Sequence, residues 1–159
     1  MDDLLKKLAD NARETVENLA KMLNTTADEV KRRIKKFEDD GLIKGYQAVI
    51  NEEKVGLNRV TAVIEVKVVP EREGGFNRIA SRIGRFPEVT DLYLMSGSMD
   101  LMLFVEGENL HKIASFVSEK LATIPGVSGT ATHFMMKTYK RRGVLMTEET
   151  TDERLKVSP

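Results

Sequence analysis

The spacing of apolar residues changes once along this chain, and that change divides it into two kinds of structure. Up to about residue 45 the apolar residues recur with a helical period. From Val60 onward they alternate with the period of a strand. Leu5, Leu8, Ala9 and Ala12 fall at i, i+3, i+4 and i+7, and Val16, Leu19, Ala20 and Leu23 repeat that spacing. Thr15 is the expected N-cap of the second helix. The third helix opens at Thr26, where Thr-x-x-Glu with Glu29 makes a capping box. Val30, Ile34 and Phe37 are its inward face, and Gly41 is its stop.

Two helices joined by Asn24-Thr25, the later one basic, match a helix-turn-helix unit. About 45 residues are too few to bury a self-sufficient core, so the unit is expected to lean on something else. Tyr46 to Ile50 reads as a short strand leading out of it, and Asn51 to Arg59 as a linker. Beyond them Ala62, Ile64, Val66 and Val68 alternate with Thr61, Glu65 and Lys67, the pattern of a half-buried strand. Phe76, Ile79, Ala80 and Ile83 mark a helix, and Val89 to Ser96 a second strand. Asp100 to Glu106 form a third. A helix capped by Asn109 presents Leu110, Ile113, Ala114, Val117 and Leu121, and a last strand runs from Val127 to about Tyr139.

An internal repeat supports this order. Ile83 to Val89 and Leu121 to Val127 both leave a helix through proline, Pro87 or Pro125, and enter a strand at valine. Each half is strand-helix-strand, which predicts a ferredoxin-like βαββαβ domain with two helices on one face of an antiparallel sheet. The fold class is therefore α+β. Residues 1–45 form a three-helix helix-turn-helix domain, 46–59 a linking strand and linker, and 60–140 the ferredoxin-like domain. Residues 141–159, polar and patternless, are expected to be a flexible tail. The sheet face without helices is partly apolar and wants a partner, most simply a second copy of the chain.

Composition removes several classes of function. The absence of cysteine excludes disulfides, thiolate nucleophiles and cysteine-type zinc sites. Apolar runs such as Leu101 to Val105 are too short to span a bilayer. The opening Met1-Asp2-Asp3 lacks the basic and apolar regions of an export signal, so a cytoplasmic setting is expected. No phosphate-binding glycine loop, nucleophile–base spacing or paired-histidine motif is present, which argues against an enzyme and predicts neither cofactor nor metal. Gly74-Gly75, near Arg72 and Asn77, reads as a strand-to-helix turn rather than an acylphosphatase-like anion site. His111 and His133 read as packing or surface residues, and the eight methionines as core and interface filler.

Two features remain as candidates. Lys31 to Lys36 place five cations in six positions, in a chain whose 25 cations and 25 anions otherwise balance. With Val30, Ile34 and Phe37 inward, Ala27, Asp28, Lys31, Arg32, Lys35 and Lys36 point outward, a surface that can enter the major groove of double-stranded DNA. The plainer reading is a solvated face balanced by Asp28, Glu29 and Glu38. Residues 1–45 carry no net charge, so any DNA affinity is confined to one surface and steeply salt-dependent. The second feature is the turn Gly97-Ser98-Met99-Asp100. Its residues are those of a hairpin turn, with glycine supplying positive φ; the functional alternative is a site for a zwitterionic ligand.

The stretch from Leu19 to Tyr46, with Thr26, Val30, Arg33, Ile34, Phe37, Glu38, Gly41, Ile43 and Gly45, resembles the DNA-binding signature of the Lrp/AsnC family. Gly97-x-x-Asp100, Ile124-Pro125-Gly126-Val127 and Thr130-x-Thr132 resemble that family's effector-binding domain. The resemblance covers roughly residues 1–140. It implies a transcriptional regulator whose dimers bind DNA through paired helix-turn-helix units and assemble through the sheet and linking strand, often into tetramers or octamers. It further implies an amino acid or related effector bound between dimers. DNA contacts then fall on Thr26, Ala27, Asp28, Lys31, Arg32, Lys35 and Lys36, and effector contacts on Gly97, Ser98, Met99, Asp100 and Thr132. Asp28 and Glu29 put two negative charges at the start of the recognition helix, which suits its dipole but repels phosphate. The alternatives are an amino-acid-sensing or oligomeric interaction module that does not bind DNA, and an enzyme on a ferredoxin-like scaffold.

Overall fold

Side-chain caps set where the first three helices begin. The computed structural model describes residues 1–69 and 75–147, and the chain divides between Ala48 and Val49 into two compact units. Arg72, Gly74 and the polar tail beyond Thr147 lie outside the described residues. In the first unit α1 (Asp3–Asp10), α2 (Val16–Met22) and α3 (Ala27–Asp39) follow one another. Asp2 Oδ1 accepts the Leu4 N–H at 2.9 Å, Thr15 Oγ1 that of Asn18 at 3.2 Å, and Thr26 Oγ1 that of Glu29 at 3.2 Å. Each satisfies a backbone donor that has no partner inside the helix. The capping box is only half formed, because the Glu29 carboxylate turns forward to Arg32.

Leu4, Leu8, Leu19, Ala20 and Val30 are buried, and Val16, Leu23, Ile34, Phe37 and Ile43 pack against them. The buried face of α1 is thus Leu4 with Leu8, not the expected Leu5, Leu8, Ala9 and Ala12. Asp2 starts the helix early and the extended backbone of Asn11 ends it, so Ala12 lies past its end. Ala9 is exposed and Leu5 half-buried. At the other end of α3 the Leu42 N–H donates to Phe37 O at 2.8 Å and the Gly41 N–H to Glu38 O at 3.0 Å. These are the paired bonds of a Schellman motif, and they require the left-handed backbone that Gly41 adopts at φ 68°.

Residues 46–50 pair with no strand among the described residues, contrary to the expected short strand. A strand needs a ladder partner, and the described residues supply none there. The Tyr46 hydroxyl donates to Glu38 at 2.9 Å, while Val49 and Ile50 stay exposed.

In the second unit β1 (Val60–Val68), β2 (Val89–Leu94), β3 (Leu101–Gly107) and β4 (Val127–Phe134) form an antiparallel sheet in the order β2-β3-β1-β4. α4 (Gly75–Ile83) connects β1 to β2. α5 (Leu110–Ser115) runs directly into a π-helical segment, Phe116–Leu121, before β4. This is the ferredoxin-like arrangement. One face of the sheet, with Ala62, Ile64, Val66, Leu101, Leu103 and Val105, packs against Ile79, Ile83, Ile113, Phe116, Leu121 and Ile124. Leu110 and Ala114, expected inside, are exposed. Burial instead steps from Ile113 to Phe116 along the α-helical turn, and the wider π turn beyond Phe116 shifts the phase so that Leu121 is buried next.

The opposite face is fixed by strand register. Val63 pairs with Phe104 and His133, and Glu65 with Met102 and Ala131, so these residues share the side that carries no helix. β4 is shorter than expected. Beyond it the backbone enters a small hairpin of β5 (Lys140–Arg141) and β6 (Val144–Leu145), within the segment expected to be flexible. This hairpin is tied to the linker: Asn51 Nδ2 donates to Met146 O at 2.7 Å, and Arg141 pairs with Glu52.

Candidate functional site

The outward face of α3 carries no part of the core. Asp28, Lys31, Arg32, Lys35 and Lys36 are exposed, and Ala27 is half-buried beside the cap Thr26. The basic run nevertheless splits by partner. Arg33 is turned inward and holds Asp2 at 2.7 Å. Arg32 lies against Glu29, and Lys35 against Asp39 at 3.4 Å, with about three quarters of each cation's side chain still in solvent. Such exposed pairs are weak and exchange readily for a phosphate. Lys31 and Lys36 carry no ion pair among the described residues. The face therefore offers four solvent-exposed cations on a helix whose ends are both capped.

The second candidate is the β2–β3 turn. Gly97 sits at φ 150°, a conformation that side-chain-bearing residues avoid, as the hairpin reading expects. Asp100 is the fixed point of the turn: its N–H donates to Val66 O at 3.0 Å, and its C=O accepts the Met95 N–H at 2.8 Å. Its carboxylate accepts the Val68 N–H at 2.8 Å and meets the Lys67 ammonium at 3.2 Å. The Val68 N–H first, and Lys67 after it, hold this carboxyl below the usual aspartate range, against the opposing effect of partial desolvation.

With the turn held in this way, Gly97, Ser98 and Met99 line a pocket of about 150 Å³ together with Met95, Glu65 and Met102. Of the five residues expected at the effector site, the structure brings three into this pocket, while Asp100 stays out of its lining and braces the turn through Val66, Val68 and Met95. Thr132 is opposite Ile64, on the helix-covered side of the sheet, and does not line the pocket. Glu65 and Met102 were not singled out from the sequence. The alternation that buries Ile64 and Val66 places Glu65 on the other face, and that signal could have found it.

Two family models match the chain. A winged helix-turn-helix DNA-binding model covers residues 3–44, and the Lrp/AsnC ligand binding domain covers residues 61–145. An uncharacterized HTH-type transcriptional regulator of Bacillus subtilis, YugG, is 43% identical over 158 residues, which is 99% of this chain and 95% of that protein. The proline dehydrogenase transcriptional activator of Rhizobium radiobacter is 28% identical over 89% of this chain and 90% of its own length. Among solved structures, a Neisseria meningitidis transcriptional regulator in complex with L-methionine superposes with a TM-score of 0.68 at 25% identity, covering 89% of this chain and 93% of that one. Escherichia coli AsnC shares the fold, with a TM-score of 0.67 at 20% identity over 91% of this chain and 97% of its own. No helix among the described residues is long and apolar enough to cross a membrane. The match of the ligand-binding domain over more than half of the chain, with the YugG similarity along nearly all of it, shows that this protein belongs to the Lrp/AsnC family of DNA-binding transcriptional regulators.

Proposed function

We propose that α3 is the groove-reading helix of a cytoplasmic, sequence-specific regulator, with Lys31, Arg32, Lys35 and Lys36 meeting phosphates and base edges and Thr26, Ala27 and Asp28 at the entering end. The observation that carries this reading is the outward face of α3, exposed and cationic yet free of any core role. The regulator responds to an amino acid or related small molecule seated on the Gly97–Met99 turn. The acid of Glu65 and the thioethers of Met95, Met99 and Met102 give that pocket a place for an ammonium group beside an apolar side chain. The neighbour solved with L-methionine supports a ligand of this class.

Dimers form on the helix-free face around Val63, Phe104 and His133 and through residues 46–50, whose backbone lacks a strand partner among the described residues. Pairs of dimers then enclose the small turn pocket, giving tetramers or octamers, with Asp100 acting through the turn and Thr132 from the covered side. Fluorescence anisotropy with labelled DNA from the upstream region of its own gene, at several salt concentrations and with pooled amino acids, tests this reading. Saturable binding that resists competitor DNA and shifts with one pool is expected. A full-length, folded protein that binds neither this DNA nor genomic fragments overturns the DNA reading and leaves the sensing module.

A further inference from the structure

The outward face of α3 has an order that its cation count hides. At about 100° per residue, Asp28, Arg32, Lys35 and Asp39 fall within an arc of roughly 60°, opposite Val30, Ile34 and Phe37. Lys31 and Lys36 stand roughly 40° beyond its two edges. A helix lying in the major groove turns its mid-line toward the base edges and its flanks toward the two phosphate walls. Recognition helices contact bases chiefly with their N-terminal residues. Asp28 is the mid-line residue of the first turn, exposed and without an ion pair among the described residues, whereas Glu29 beside it is engaged by Arg32.

Resting on the assignment of α3 to the groove, we infer that Asp28 is a specificity-determining residue that accepts a hydrogen bond from the N4 amino group of a cytosine. A carboxylate brought between two phosphate walls is repelled unless a donor meets it. Cytosine presents only such a donor on its own major-groove edge, while adenine sets the N7 acceptor beside its amino group and guanine offers two acceptors. Lys31 and Lys36, on the flanks, supply the opposing attraction by holding one phosphate wall each. The acid therefore costs affinity on every sequence that lacks the cytosine, and selection at that position comes from this penalty as much as from the bond.

The test enriches random duplexes in parallel on the full-length wild type, Asp28→Ala and Asp28→Asn, then sequences the bound pools and measures individual sites by anisotropy. The wild type is expected to select one C·G pair per half-site near the point where α3 enters. Asp28→Ala should reduce that preference roughly tenfold and leave the other positions unchanged. Asp28→Asn, which keeps the shape of the side chain, should move the preference toward adenine, whose N6 and N7 suit an amide. Identical motifs from all three proteins overturn the inference while leaving the DNA reading intact. A uniform gain in affinity for every duplex in Asp28→Ala overturns it too, since the acid would then be only a repulsive charge. Wild-type protein that enriches nothing overturns both.

Discussion

The guanidinium of Arg33 donates to both carboxylate oxygens of Asp2, at 2.7 and 2.8 Å, across 31 residues of chain. Asp2 also accepts the Leu4 N–H, so one carboxylate caps α1 and anchors α3 at once. Arg33 belongs to the basic run by sequence, but its task is to hold two helices together. Arg33→Ala should lower stability by about 0.5–1 kcal/mol, the range for a partly exposed ion pair, seen as a melting temperature a few degrees lower by circular dichroism. The salt slope of DNA binding should not change in that variant. A slope flattened by a full unit would place Arg33 on a phosphate instead.

Lys31 and Lys36 are expected to behave in the opposite way. Replacing both by alanine should leave the melting temperature within a degree or two and reduce the slope of log K against log salt by roughly two units, about 0.9 per phosphate released. Arg32 and Lys35, replaced together, should also weaken binding and flatten the slope, with some loss of discrimination among sites because they stand on the mid-line of the helix. Anisotropy titrations at four or more salt concentrations separate the two pairs. Unchanged affinity in both double variants would remove α3 from the DNA.

Asp100→Ala should blunt the response to the amino-acid effector while leaving DNA affinity without effector unchanged, since Asp100 braces the turn that lines the pocket. Asp100→Asn, which keeps an acceptor for the Val68 N–H, should be milder. The pH dependence has a definite sign. Because the folded protein holds this carboxyl below its ordinary value, the brace is complete above the usual aspartate range, near about 3.9, and is lost as pH falls below it. Amide chemical shifts of Val68 and Ser98, followed by NMR from pH 6 downward, read this directly. A turn that loosens on raising the pH instead would contradict the assignment.

The first unit rests on few buried side chains, and Leu19, fully buried, is central among them. Leu19→Ala should cost about 2–5 kcal/mol, enough to melt the helical unit of so small a core, while the sheet domain keeps its own cluster. Urea unfolding would then show two transitions where the wild type shows them closer together. A single unshifted transition would mean that Leu19 is not a core residue.

Much of the fold was legible because each element carries its own signal. Thr15, Thr26 and Asn109 announce helix starts by chemistry that is local in sequence, and the alternation of Ala62, Ile64, Val66 and Val68 fixes which side of β1 is buried. Periodicity misplaces an element where local backbone conformation or distant chain decides instead. The stop of α1 at Asp10 follows from the extended Asn11, and the phase shift at Phe116 from a π turn that no periodicity encodes. The hairpin at Lys140 to Leu145 depends on Asn51 and Glu52, 95 and 89 residues from their partners Met146 and Arg141, so a reading of nearby residues sees only a polar tail. At the proposed effector pocket, the Gly97 turn is visible from its composition. The alternation of β1 puts Glu65 on the helix-free face, and the register with β3 then sets it beside Met102.

The proposed groove-reading helix is closed at both ends by groups that flank it in sequence, Thr26 at the start and the Gly41 turn at the finish. Its core contacts come from Val30, Ile34 and Phe37 alone. Under the proposed DNA reading, recognition and folding use separate sets of residues on the same thirteen positions. The outward set is therefore an exchangeable cassette: a duplicated gene can acquire a new operator by rewriting it, without first solving the problem of folding again.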